Sequence, residues 1–144
     1  MNTVEFHHGM PDKLAYACRL LRKAYRSGAK VLVTGDPTLL KALDKQLWVF
    51  DEQEFLPHLL VQAGKDIPAR LQDTPVWLSA DGAQAPADCR VLVNLGPDLP
   101  QGVERFERLF EVVSTDPQDR QLGRQRWKGY EALGLRIQPH EVKE

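Results

Sequence analysis

The stretch Lys30-Val31-Leu32-Val33-Thr34-Gly35-Asp36-Pro37 decides the fold. Its apolar, β-branched centre lies between Gly28 and Gly35, is too short for a helix and lacks polar alternation, so it reads as a strand buried on both faces. Asp36 and Pro37 then mark a helix start. Aspartate before the first turn accepts hydrogen bonds from its free amides, and proline suits the first helical position. Leu39, Leu40, Leu43 and Leu47 supply that helix with a buried stripe. Upstream, Thr3 to His7 alternates as a strand and Gly9-Met10-Pro11-Asp12 forms a turn. Leu14, Ala17, Cys18, Leu21 and Tyr25 follow at three- and four-residue steps, and Ser27-Gly28 closes their helix. A strand-helix-strand-helix opening favours parallel pairing with right-handed crossovers.

Downstream, residues 61–75 carry Gly64, Lys65, Asp66, Pro68 and Pro75 with little periodicity and read as a loop or irregular edge. Val76-Trp77-Leu78-Ser79 and Arg90-Val91-Leu92-Val93-Asn94 read as strands around a small, polar segment from Asp81 to Asp88. Val103 to Phe110 has helical spacing, and Glu111 to Ser114 finishes as a strand. The last helix runs from Pro117 to Leu133 and stops at Gly134. The expected architecture is one α/β domain over residues 1–144, a mostly parallel central sheet flanked by helices, without internal repeat or linker.

The 144 residues, 42% of them apolar, suffice for one ordinary core. Nineteen basic residues against twenty acidic ones leave a net charge of -1, so the molecule offers no general cationic field to nucleic acid. The N-terminus MNTVEFHHGM lacks a basic segment followed by an apolar run, and no stretch is long and apolar enough to cross a bilayer. A soluble, cytoplasmic location is expected. Cys18 and Cys89 form no ligand spacing and read as free, buried thiols.

No catalytic, cofactor or metal site is expected. The turn Thr34-Gly35-Asp36-Pro37 lacks the glycines that admit a pyrophosphate, and no GxxxxGK[ST] loop is present. Asp36 reads as a helix cap, not a ribose ligand. His7 and His8 are adjacent on a strand and point to opposite faces, which disqualifies them as a metal pair. His58 and His140 stand apart from any recognisable nucleophile motif.

Two constellations stand out. The first is Leu47-Trp48 followed by Phe55-Leu56-Pro57-His58, with Asp51, Glu52 and Glu54 solvating the connection. Trp48 and Phe55 either close the core beneath this loop or form an interface patch beside Pro57; the sequence leaves both readings open. The second is the last helix. At about 100° per residue, Arg120, Arg124, Trp127 and Lys128 share one stripe, while Leu122, Gly129 and Leu133 fall on the opposite side and are expected to pack. A solvated basic face is the bland reading of such a run. An indole among cations also accepts an apolar side chain while guanidinium and ammonium groups pair with carboxylates. Single-stranded nucleic acid is the alternative ligand, by stacking and phosphate pairing, although one aromatic in a neutral molecule makes a poor platform.

In this order and separation, these segments resemble the chi subunit of bacterial DNA polymerase III. The resemblance covers most of the chain: the opening strand, Tyr25-Arg26-Ser27-Gly28 before Val31-Leu32-Val33, Leu47-Trp48, Phe55-Leu56-Pro57-His58, and Arg124-Gln125-Arg126-Trp127-Lys128-Gly129-Tyr130 with Gly134. It implies a Rossmann-like three-layer fold lacking a nucleotide-binding loop. It also implies a noncatalytic adaptor in the clamp-loader assembly. That adaptor binds the acidic, Phe-terminated tail of the single-stranded-DNA-binding protein on one side and the psi subunit on another, so its association with single-stranded DNA is indirect. Carried onto matching positions, Arg124 and Lys128 pair with tail carboxylates, Trp127 makes the apolar contact and Arg120 is a supporting cation. Trp48, Phe55, Pro57 and His58 match the psi-facing motif. Trp127 stands where the family often has Tyr, and residues from Val61 to Ala87 show little that matches.

Overall fold

The computed structural model describes residues 3–50, 55–61, 66–80 and 85–143. Seven strands form one sheet: β1 (Thr3–Met10), β2 (Val31–Thr34), β3 (His58–Leu60), β4 (Val76–Leu78), β5 (Val91–Asn94), β6 (Arg108–Ser114) and β7 (Arg136–Glu141). Their order is β3-β4-β2-β5-β6-β1-β7, and every pairing is parallel. Among the described residues three helices cover it: α1 (Lys13–Arg26), α2 (Pro37–Val49) and α3 (Pro117–Ala132). This is the three-layer, Rossmann-like α/β arrangement expected, with the sheet wholly rather than mostly parallel.

Strand alternation divides the core between the two faces. Val31, Val33, Val76, Leu78, Val91, Val93, Phe110 and Val112 face α1 and α2. Leu32, Trp77, Leu92 and Leu109 face the opposite way, where Tyr130 of α3 joins them. The strands at the sheet centre are buried on both sides, which is why their sequences are continuous apolar runs. Cys18 and Cys89 sit in different layers as free thiols, and burial pushes both up to about 11.

Four expectations need correction. The Asp36 side chain makes no cap hydrogen bond, so Pro37 and the leucine stripe start α2 without it; Asp12 is the aspartate that does cap, accepting from the Ala15 amide at 3.0 Å. Val103 to Phe110 is not helical: a single 3-10 turn, Val103–Arg105, precedes β6. Val103, Phe106 and Leu109 all drop into one core layer at three-residue steps, which imitates a helix. Strand β7 was unforeseen because its exposed, polar edge sequence, with Pro139 in it, carries no burial pattern. The three-residue β3 was also unassigned, ahead of a segment whose described part holds only the turn Ala69–Leu71.

Candidate functional site

Helix α3 starts at Asp116, whose carboxylate accepts from the Asp119 amide at 3.0 Å, with Pro117 in the first turn. Asp119 then ties the helix start to its surroundings, accepting from the Ser114 amide at 2.8 Å and from Lys13 Nζ at 3.0 Å. Burial opposes ionisation of Asp119, yet the Ser114 amide and the Lys13 ammonium hold its carboxyl below the usual range. Burial costs Lys13 more than Asp119 returns, so the lysine is also shifted down.

The side of α3 turned to the sheet carries Gly123, Arg126 and Tyr130. This corrects the expected packing stripe: Leu122 and Gly129 are half-buried at its margin, and Leu133, just past the last turn, is 57% exposed. A Cβ on Gly123 would lie 2.9 Å from Val113 Cγ2, so this glycine lets the helix sit directly on β6. Arg126 is 2% exposed and donates from Nε to Glu111 Oε1 at 2.9 Å and from Nη1 to the Pro97 carbonyl at 3.2 Å. Tyr130 and Asn94 donate to the other Glu111 oxygen at 2.5 and 2.8 Å. Three donors aimed at one carboxyl are arranged for its ionised form, while full burial pushes Glu111 upward. Sequence reasoning missed this network: helical spacing puts Arg126 on the packing side, away from the other cations, but its partner Glu111 lies on another element and leaves no local signal.

On the opposite side of α3, Arg120, Arg124 and Lys128 are exposed and make no hydrogen bond or ion pair with another described residue. Trp127 is half-buried at the edge of this stripe, its ring edge-on to Phe6 with centroids 5.0 Å apart. The four predicted residues are therefore brought together, with the indole packed against Phe6 and the cations unpaired by any other described residue.

The second constellation lies at the other end of the sheet and across it. Trp48, at the end of α2, is 59% exposed and Phe55 is 54% exposed, with their rings 5.2 Å apart. Val49 extends the patch. These aromatics therefore do not close the core; Leu47 and Leu56, their neighbours in sequence, do. His58 is different, because its side chain is buried beneath Trp48, with ring centroids 5.0 Å apart. Its Nδ1 donates to the Leu56 carbonyl at 2.8 Å, whereas Asp44 Oδ1, 3.1 Å from Nε2, lies out of line for a hydrogen bond. Pro57 is half-buried, and Asp51, Glu52 and Glu54 lie outside the described residues.

A cleft of about 730 Å³ opens where β2 and β5 end and their continuations leave toward opposite faces. That is the usual ligand position of this architecture. Its polar floor is already satisfied, Thr34 donating to Asn94 at 3.0 Å. Asp36 and Asp98 line it against a single arginine, Arg105, which is engaged with the Pro86 carbonyl. That balance is a poor host for phosphate. His7 turns toward α1, where Nδ1 shares a hydrogen bond with the Tyr16 hydroxyl, and no cluster of three metal-ligating side chains occurs among the described residues. No helix among them is long and apolar enough to cross a membrane.

The family model of the DNA polymerase III chi subunit, HolC, matches residues 1–138. A protein named DNA polymerase III subunit chi from Pseudomonas aeruginosa is 32% identical over 132 residues, 90% of this chain and 87% of its own. Proteins of the same name from Haemophilus influenzae and Escherichia coli are 28% and 25% identical, covering 88% and 83% of this chain and 85% and 79% of theirs. Among solved structures, domain 2 of the DEAD-box helicase Mss116p bound to an RNA duplex is similar over the whole chain and 66% of its own, with a TM-score of 0.62 at 12% identity. That likeness shows a shared fold.

Proposed function

The chain belongs to the DNA polymerase III chi subunit family and so has an accessory role in the replisome, and from that premise we propose that it is a noncatalytic, cytoplasmic adaptor joining the single-stranded-DNA-binding protein to the psi subunit. The α3 stripe receives the acidic, Phe-terminated tail: Arg124 and Lys128 pair with carboxylates, Trp127 takes the apolar end and Arg120 supports them. The observation that carries this reading is the combination of three exposed cations without a partner among the described residues and an indole packed beside them. Cations already neutralised within the molecule would have little to offer a carboxylate.

The exposed Trp48 and Phe55 form the psi-facing patch, with Pro57 at its margin and His58 supporting Trp48 from below. Helix α2 packs on one face of the sheet near β3, and α3 packs on the other face over β6 and β7. Four strand spacings separate β3 from β6, about 19 Å, so the two patches share no surface. That is what a bridge requires.

Titration of a fluorescent acidic peptide ending in Pro-Phe tests the reading. Micromolar affinity that weakens with salt is expected, because rim charges each contribute about 0.2–1 kcal/mol. Arg124→Glu should weaken it about tenfold with the helix intact; unchanged affinity would refute the site. Oligothymidylate with a steep salt slope in place of peptide binding would favour the direct nucleic-acid alternative.

A further inference from the structure

We infer that the buried Arg126–Glu111 pair is the positioning element of the α3 receptor face, setting the rotation of the helix about its own axis; this rests on the tail-binding reading above. Asp119 anchors the first turn through the Ser114 amide and Lys13, and beyond that turn the directional contacts of the helix converge on Glu111. Among its buried residues, Gly123 has no side chain to lock and Tyr130 ends on the same Glu111 carboxylate. Apolar packing tolerates sliding, whereas Arg126 is held in two directions, by Glu111 at 2.9 Å and by the Pro97 carbonyl at 3.2 Å.

Arg126 also stands at the right place on the helix. At about 100° per residue, Trp127 lies ~100° round from it, Arg120 ~120°, and Arg124 and Lys128 ~160° to 200°. The receptor stripe is thus centred nearly opposite the buried guanidinium, and a turn of the helix moves all four groups together. Trp127 also reports on the rotation, because a turn of the helix alters its edge-on contact with Phe6, whose ring centroid lies 5.0 Å away. Ionic burial is a poor route to stability, since apolar replacement of such pairs is often neutral or favourable. The pair's distinctive contribution here is direction.

The triple variant Glu111→Leu/Arg126→Met/Tyr130→Phe removes the network while keeping the volume apolar; Asn94 keeps its bond to the Asp98 carbonyl at 3.2 Å. It should fold, keep its helicity and bind the acidic Pro-Phe peptide at least fivefold more weakly than wild type. Arg126→Lys keeps the cation without the fork and serves if the triple variant does not fold; it should bind about threefold more weakly. Wild-type affinity in the folded triple variant, or in Arg126→Lys should the triple fail to fold, overturns the inference. Fluorotryptophan NMR, with the Trp127 signal assigned through Trp127→Phe, provides a readout independent of the peptide. The Trp127 resonance should move in Arg126→Lys and the Trp48 resonance should not. If wild type fails to bind the peptide, the tail-binding reading falls, and a static Trp127 signal alone would sink the positioning role.

Discussion

Gly123→Ala isolates the contact that seats α3 on the sheet. At an exposed helical position the change stabilises by about 1 kcal/mol, because alanine has the better helix propensity. At Gly123 the new Cβ would lie 2.9 Å from Val113 Cγ2, 3.1 Å from Val113 Cγ1 and 3.5 Å from Phe6 Cζ. Val113 is β-branched, buried and fixed in β6, so it cannot turn aside, and the helix must lift. Overpacking of this kind costs about 1–3 kcal/mol. Set against the propensity gain, the net loss is up to about 2 kcal/mol, or a Tm lower by up to about 7 °C at this chain length. Calorimetric melting of the two proteins measures it. Because Phe6 also braces Trp127, peptide affinity should fall with Tm. A Tm that rises would refute the seating of α3 described above.

Three further outcomes are expected. Burial, then the neighbouring His140, lowers His7 from 6.5 to about 4; the unfolded chain therefore takes up the proton first, and stability should fall by about 3 kcal/mol as pH drops from 6.5 to 4, a loss that urea midpoints should show reduced in His7→Gln. Arg126→Ala leaves the buried Glu111 charge without its counter-ion and should destabilise by about 3–5 kcal/mol in chemical denaturation, far more than Arg124→Ala. Trp48→Ala should change stability by less than about 1 kcal/mol, since the ring is mostly solvated, while psi capture in a pull-down drops at least tenfold.

The parallel sheet was legible because its inner strands are buried on both faces, and runs such as Val31-Leu32-Val33 have no other comfortable place. The stripe Arg120, Arg124, Trp127 and Lys128 was legible too, since helical spacing alone puts those residues on one side. What escaped was set by tertiary partners. The role of Arg126 depends on Glu111, 15 positions away in sequence, and on a glycine letting the backbones approach. Strand β7 is held by backbone pairing to β1 and has too few buried side chains to leave a pattern. For Trp48 and Phe55, sequence left core and surface evenly balanced; Leu47 and Leu56 took the interior places and left the aromatics outside.

A charge-swap cycle is the most direct check on whether the α3 stripe receives a carboxylate-bearing chain end. Arg124→Glu is measured against the acidic Pro-Phe peptide and against a copy with one acidic residue changed to lysine, alongside the wild-type protein. The account predicts that each single change weakens binding about tenfold and that the two together restore most of the loss. Losses that simply add, with no recovery in the swapped pair, would contradict it.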